Sequence, residues 1–196
     1  MSTDPTPESN PAPGSPEPDG GGTAAGNGTP VRRLGPLLGL LAGFAVLAYV
    51  LDQLTKILVS TSMVEGQVIP VLPPVLNLRY IRNSGAAFSI GENITWVFAL
   101  AMAVVSVVII IQARRLGSRW WAIACGMLLG GALGNLTDRL FRDPYFGMGH
   151  VVDFIAVQHF AIFNVADSSI VGSVILICIL TLKGVPFGRR TAKDAA

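Results

Sequence analysis

Four long runs of apolar residues, separated by polar segments, dominate the pattern of the chain. They extend from about Leu37 to Val59, Ile94 to Ala113, Trp120 to Thr137 and Val165 to Leu182. Each run approaches the roughly 20 residues with which an α-helix crosses a hydrocarbon core of about 30 Å. The pattern predicts an α-helical integral membrane protein with four transmembrane helices, and with segments 60–93 and 138–164 as long loops.

Residues 1–33 have a different character, being rich in Pro, Gly, Ser and Thr with almost no large apolar side chains. Such a segment buries too little surface to offset the entropy lost on ordering, which predicts a disordered N-terminal tail. The membrane domain then comprises residues 34–184, and residues 185–196 form a basic C-terminal tail.

Basic residues predict how the helices are oriented. They cluster before the first run, between the second and third runs, and after the fourth run: Arg32, Arg33, Arg114, Arg115, Arg119, Lys183, Arg189, Arg190 and Lys193. If the helices alternate in direction, these clusters share one side, which the positive-inside rule makes cytoplasmic. Both termini are then cytoplasmic and both long loops face outward. The bias is incomplete, because the outer loops also contain four arginines.

The first long loop carries signals for strands and for a turn. Residues 68–82 contain β-branched side chains and prolines that suit strand edges, and they alternate in polarity late in the segment. We expect short strands at the membrane surface. The following Asn83-Ser-Gly-Ala-Ala-Phe88 segment predicts a tight turn in which small residues allow close backbone approach.

Composition strengthens the membrane assignment and excludes other classes. Of the 196 residues, 51% are hydrophobic and 13% charged, against roughly 25% charged in soluble domains, and the mean hydropathy is +0.57. A net charge of +2 without a basic run argues against nucleic-acid binding. The two histidines are dispersed, and neither they nor the two cysteines have the spacing of a metal site.

Two aspartates, Asp153 and Asp167, are the strongest candidates for chemistry. They lie in segment 151–167, VVDFIAVQHFAIFNVAD, beside the fourth apolar run. Ionisable groups at membrane depth are costly and are functional candidates by default. The predicted topology places Asp153 in the loop before the fourth helix. It also places further polar residues in the same outer layer: Asp52, Lys56, Asn135, Asp138 and Arg139.

Structural explanations compete for several of these residues. Asp52 and Lys56 are four residues apart, so their role could be limited to an ion pair at a helix end. Asp167 could cap the fourth helix, with Asn164 as a competing cap. Arg139 could extend toward lipid headgroups.

Two functional hypotheses account for the clustered polar residues. In the first, Asp153 and Asp167 share a proton and activate water for peptide hydrolysis. In the second, the carboxylates belong to a transporter's ion path. Polar residues at one surface rather than at the midplane, and the absence of matching interrupted helices, argue against a transporter. A purely structural protein leaves the clustering unexplained.

Five motifs in order make the chain similar to a known family. They are Asp52-Gln-Leu-Thr-Lys56, Asn83-Ser-Gly-Ala-Ala-Phe88, Gly130-Gly-Ala-Leu-Gly-Asn-Leu-Thr-Asp-Arg139, Val151-Val-Asp-Phe154 and Phe163-Asn-Val-Ala-Asp167. Together they resemble the lipoprotein signal peptidase (signal peptidase II) family of bacterial membrane aspartyl proteases, over about Leu37 to Leu182.

The resemblance implies an endopeptidase that cleaves diacylglyceryl-modified prolipoproteins before the lipidated cysteine, at the outer face of the plasma membrane. It implies Asp153 and Asp167 as the catalytic pair. It assigns substrate binding to Asp52, Lys56, Asn83, Gly85, Asn135, Arg139 and Asn164. Arg139 and Asn135 are expected to hold backbone carbonyls of the substrate.

The resemblance also implies the fold and the partners. The four helices should carry a small extracytoplasmic β-cradle and a short helix on the periplasmic side. The expected partners are lipidated prolipoproteins and membrane lipid. We expect a monomer without cofactor, metal or nucleic acid.

Overall fold

The structure, a computed structural model, describes Met1, residues 34–85 and residues 94–188. The described residues form four α-helices and one small sheet. The helices are α1 (Leu34–Ser62), α2 (Thr95–Gln112), α3 (Arg119–Phe141) and α4 (Val165–Leu182), and the strands are β1 (Val68–Leu72), β2 (Leu76–Asn83) and β3 (Val151–Val157). A short 3-10 turn, Ala113–Arg115, leads from α2 toward α3.

All four predicted membrane helices are present, and each is long and apolar enough to cross a membrane. Helix α3 is the central one. In its apolar 18-residue stretch 61% of the residues are buried, against 17–22% in the corresponding stretches of the other three helices. Both α1 and α3 continue beyond the apolar runs that predicted them, to Ser62 and Phe141. The added turns of α3 are possible because their charged residues find partners inside the protein.

Glycines of α3 bring this helix unusually close to its neighbours. Ideal Cβ atoms at Gly126 and Gly131 would lie 2.5 Å from the carbonyl oxygen of Leu41 in α1 and 2.6 Å from that of Ala166 in α4. Small residues at such contacts let two helix backbones pack closely. Close packing is important in a membrane, because the hydrophobic effect does not drive helices together in lipid. The glycines of α3 therefore serve the packing of this helix against α1 and α4.

The strands form an antiparallel sheet in the order β1-β2-β3. The prediction of strands within residues 68–82 is confirmed by β1 and β2. The prediction that Asp153 lies in a loop is wrong, since it lies within β3 and pairs with Ile81 of β2. The partner strand is about 70 residues away in sequence, so local patterns did not reveal this pairing.

The sheet is attached to the end of α1 by a small apolar cluster. Val59 and Met63 meet Tyr80, Val152 and Phe154 there, all of them buried. This packing fixes β3 relative to α1, and with it the position of the aspartate that β3 carries.

Several expectations concern residues outside the described ranges. Apart from Met1, the predicted N-terminal tail lies outside them, as do the C-terminal tail beyond residue 188 and the last part of the Asn83–Phe88 turn. Another expectation is the short helix on the periplasmic side. Residues 63–85 and 142–164, which belong to the two long loops, contain no helix. Residues 86–93 complete the first of these loops and are not described.

The close helix contacts predict that Gly130→Leu is destabilising. A Cβ at Gly130 would collide with the backbone carbonyl of Ala45, and overpacking of this kind costs about 1–3 kcal/mol or more. Thermal unfolding in detergent should show a lower Tm than for the unchanged protein. Gly39→Leu is the matched control, because nothing lies within 4 Å of its Cβ position. Equal unfolding temperatures for the two variants would contradict this packing.

Candidate active site

Five segments bring polar side chains together at one end of the helices. Asp153 comes from β3, and Asp167 comes from the first turn of α4. The end of β2 and its turn supply Asn83 and Gly85, α1 supplies Asp52 and Lys56, and α3 supplies Asn135, Asp138 and Arg139. The sequence therefore predicted correctly that these residues share one layer.

Asp153 is almost completely buried, with 2% of its surface exposed. Its Oδ2 accepts a hydrogen bond from Asn83 Nδ2 at 2.9 Å, and its Oδ1 accepts one from Asn164 Nδ2 at 2.7 Å. Asn83 pairs with Val151 in the sheet, so it lies diagonally across from Asp153 on the same face. Sheet register thus places one amide donor beside this carboxyl group.

Asp167 combines a helix cap with a place in the site. Asn164 is the N-cap of α4, and its Oδ1 accepts from the Asp167 N–H at 2.9 Å. Asp167 Oδ2 accepts in return from the Asn164 N–H at 3.1 Å, which completes a capping box. The other oxygen, Oδ1, accepts from Asn135 Nδ2 at 2.7 Å. Capping and participation in the site, treated as alternatives from sequence, occur together.

Three asparagine amides have their orientation set by a second bond. The Oδ1 of Asn83 accepts from the Gly85 N–H at 2.9 Å, and the Oδ1 of Asn135 accepts from Lys56 Nζ at 2.7 Å. The Oδ1 of Asn164 is occupied by the helix cap. An amide that accepts through its oxygen must present its NH2 group elsewhere. All three NH2 groups therefore point toward the two aspartates.

Beneath the aspartates lies a fully buried group of charges. Lys56 and Asp52, each 0% exposed, form an ion pair of 2.8 Å within α1. Lys56 Nζ also lies 2.9 Å from Asp138 Oδ2. Asp138 Oδ1 in turn accepts from Arg142 Nε at 2.6 Å. The i, i+4 pair predicted for Asp52 and Lys56 is present, but it belongs to a larger network that joins α1 to α3.

Arg139 is 3% exposed and holds the turn after β2. Its guanidinium donates to the Ser84 carbonyl at 3.0 Å and to the Gly85 carbonyl, and it lies over the Phe98 ring at 5.3 Å from the centroid. The carbonyls that Arg139 holds in this structure are those of its own chain. Its buried Nε has no hydrogen-bond partner among the described residues.

A cavity of about 680 Å³ opens over these groups. Its lining includes Gly85 and the polar residues Asn83, Asn135, Arg139, Asp153, Asp167 and Ser168. Its apolar lining includes Phe98 and Met102 of α2 and Val171 and Ile175 of α4. Ile175 is eight residues beyond the aspartate in α4, so the cavity follows this helix for roughly 12 Å at 1.5 Å per residue.

The residues expected to bind substrate fall into two groups. Asn83, Gly85, Asn135 and Arg139 line the cavity, whereas Asp52, Lys56 and Asn164 do not. The latter three are 0% exposed, which leaves them no surface for direct contact with a substrate.

Two contributors to the site were not among the predicted site residues. Asp138 was placed in the outer layer from sequence, but its contact with Lys56 joins two helices and leaves no local signal. Phe98, which lies under the guanidinium of Arg139, belongs to an apolar run and gave no separate signal.

The electrostatic environment of Asp153 disfavours its charged form. Burial raises the pKa of Asp153 to about 7, and the neighbouring charge of Asp167 acts in the same direction. The amide hydrogen bonds and the charge of Lys56 oppose this increase. The raised pKa favours retention of a proton on Asp153 near neutral pH.

Comparisons with known proteins agree on one family. A family model described as Signal peptidase (SPase) II matches residues 44–183. A lipoprotein signal peptidase of Leifsonia xyli subsp. xyli is 49% identical over 156 residues, which cover 79% of this chain and 72% of the relative. One of Mycobacterium avium is 46% identical over 176 residues, with coverages of 88% and 94%.

A solved structure provides an independent comparison of the fold. It is titled "Bacterial membrane enzyme structure by the in meso method at 2.3 A resolution", with a TM-score of 0.67 and 34% identity. The alignment covers 74% of this chain and 88% of that chain. With four membrane-length helices, the chain is a multi-pass protein of the bacterial inner membrane. It belongs to the lipoprotein signal peptidase (signal peptidase II) family, the membrane aspartic endopeptidases that remove signal peptides from prolipoproteins.

Proposed function

We propose that the chain cleaves diacylglyceryl-modified prolipoproteins immediately before the lipidated cysteine, using water activated by Asp153 and Asp167. The observation that carries this mechanism is the arrangement of the two carboxyl groups. They meet at the polar end of an apolar cavity, and oriented amides from three other positions hold them. Rigid support of this kind is what positioned acid–base groups require.

The environments of the two aspartates favour different roles. Asp153 has its pKa raised to about 7 by burial, so it is suited to carry the shared proton. Asp167 lies in the first turn of α4, where backbone N–H groups and the helix dipole favour a negative charge. In our proposal Asp167 is the base that acts on water, and protonated Asp153 is the acid.

The proposed reaction balances its protons in three steps. Asp167 takes a proton from water while the water oxygen bonds to the scissile carbonyl carbon, whose oxygen accepts a hydrogen bond from Asp153. The C–N bond then breaks as Asp153 gives its proton to the leaving nitrogen. The new carboxylic acid of the signal peptide returns a proton to Asp153, and Asp167 releases its own to solvent.

The two groups of predicted substrate-binding residues receive different roles. Asn83, Gly85, Asn135 and Arg139 line the cavity and form the polar rim that meets the peptide near the scissile bond. The fully buried Asp52, Lys56 and Asn164 act instead by holding residues that face the cavity. This replaces direct contact for those three side chains, because a group with no exposed surface has no room for a peptide beside it.

The apolar part of the cavity, here termed the apolar arm, suits the lipid-linked part of the substrate. Met102 of α2 and Val171 and Ile175 of α4 line it, and the last two are also exposed on the helix surface. A substrate anchored by its acyl chains would reach this arm from the bilayer, with its scissile bond held at headgroup depth. Lipid is thus a partner in two ways: bilayer lipid surrounds the helices, and the acyl chains of the substrate enter the cavity.

The orientation of the protein follows from charge. Arg114, Arg115 and Lys183 are exposed at the helix ends opposite the aspartates. The 18 residues of α4 separate its two ends by roughly 27 Å at 1.5 Å per residue. With basic residues cytoplasmic, both termini lie inside and the site lies on the outer face. We propose that the protein acts as a monomer, because the described residues of one chain suffice to form the cavity.

The central test replaces each aspartate of the pair by its amide. Asp153→Asn and Asp167→Asn should each reduce cleavage of a lipidated precursor peptide by about 10⁴-fold or more, because neither variant can share and transfer a proton. Purified protein and gel-resolved product provide the measurement. Asp143→Asn is the matched control, since its carboxylate is 84% exposed and pairs only loosely with Arg82. Activity near the unchanged level in either site variant would contradict the mechanism.

The same assignment predicts the dependence of kcat/KM on pH. Asp153 must be protonated and Asp167 ionised, so the rate should fall as pH rises through the pKa of about 7 for Asp153. Above that value, the loss should approach tenfold per pH unit. A rate that keeps rising above pH 8 would show that Asp153 is not the acid.

A further inference from the structure

The ammonium group of Lys56 is completely enclosed and fully bonded. Its three N–H donors have three acceptors, Asp52 Oδ2 at 2.8 Å, Asp138 Oδ2 at 2.9 Å and Asn135 Oδ1 at 2.7 Å. A buried ion pair by itself is weak evidence for stability, because desolvation cancels much of the attraction. The arrangement therefore calls for an explanation beyond helix packing.

The two carboxylates beside Lys56 each hold one backbone N–H. Asp52 Oδ1 accepts from the Ala166 N–H at 2.8 Å. Asp138 Oδ2 accepts from the Val152 N–H at 3.2 Å. Ala166 and Val152 are the residues that immediately precede the two catalytic aspartates in sequence.

We infer that Lys56, Asp52 and Asp138 act as one unit, here termed the lysine cluster, that sets the positions of both catalytic aspartates. The inference rests on the proposed roles of Asp153 and Asp167. Asp52 fixes the backbone before Asp167, Asp138 fixes the backbone before Asp153, and Lys56 bridges the two carboxylates. The members of the cluster are positioning residues, because none of them lines the cavity.

A third connection reaches a catalytic side chain directly. Asn135 accepts from Lys56 Nζ and donates through Nδ2 to Asp167 Oδ1 at 2.7 Å. Lysine suits this place because a compact ammonium directs three donors to separate acceptors, whereas a planar guanidinium directs its donors in one plane. Each catalytic aspartate is therefore tied to the same cation, Asp167 through two links and Asp153 through one.

The cluster also contributes charge to the site. The charged groups that face Asp153 are Asp167 from α4, Lys56 from α1 and Arg139 from α3. The positive charge of Lys56 lowers the pKa of Asp153 and so opposes the effects of burial and Asp167. Removal of this charge should strengthen the retention of the proton by Asp153.

Amide hydrogen exchange of the full-length protein in detergent tests the positioning role. In Asp138→Asn, exchange should accelerate in the segment containing Val152, and in Asp52→Asn it should accelerate in the segment containing Ala166. Loss of a charge-assisted bond predicts roughly tenfold faster exchange at each site, with the rest of the four helices unchanged. Asp143→Asn, an exposed carboxylate changed in the same way, should alter neither segment.

Kinetics with a lipidated precursor peptide complete the test. Both cluster variants should lose on the order of 10- to 100-fold in kcat with little change in KM, since misplacement of the acid or base affects the chemical step. The double variant Lys56→Met/Asp52→Asn removes one charge of each sign and leaves Asp138 paired with Arg142, which protects against failure to fold. It should show the same loss of kcat with little change in KM.

Two results would overturn the inference. One is a kcat equal to that of the unchanged protein in both single variants, or in the double variant if the single variants do not fold. The other is uniformly faster exchange along all four helices, which indicates a packing role alone. Inactivity of Asp153→Asn beside fully active cluster variants would refute the cluster alone, whereas activity of Asp153→Asn would refute the proposed function itself.

Discussion

The structure depends on the full satisfaction of charges that the helices bury together. A lysine with no exposed surface is tolerable in a helix bundle only if each of its donors finds an acceptor at hydrogen-bond distance. Lys56 meets this condition with residues of two helices. The requirement fixes the rotation and the depth of α1 against α3, and close packing at the glycines of α3 makes the necessary approach possible. The site above inherits its geometry from this arrangement.

The elements that carry the site combine rigidity with local chemistry. Asp167 uses one carboxylate oxygen to cap α4 and the other to face Asn135. Asp153 stands in a strand whose register brings Asn83 beside it. Both aspartates are therefore held by the same backbone interactions that build the fold, and no flexible loop has to close in order to bring them together.

Local sequence patterns predicted a large part of this arrangement. Apolar runs of membrane length located all four helices, and the isolated aspartates in an apolar segment pointed to Asp153 and Asp167. The strand that carries Asp153 was missed, because its partner is distant in sequence and its apolar residues resemble the approach to a helix. Asp138 was placed in the outer layer but given no role, because its contacts with Lys56 and the Val152 N–H join segments that are distant in the sequence. The burial of Asp52 and Lys56 was also invisible, as helix spacing cannot tell a paired surface group from an enclosed one.

The ion pairs between residues four apart have a consequence for how the protein enters the membrane. Asp52 pairs with Lys56 in α1, and Asp138 of α3 pairs with Arg142, which directly follows this helix. Each helix thus carries its own counter-ion, which lowers the cost of placing charge in lipid before any other helix is present. When α1 and α3 meet, Lys56 joins Asp138 without leaving Asp52. Helices α1 and α3 can then enter the bilayer separately without exposing these four charges unpaired.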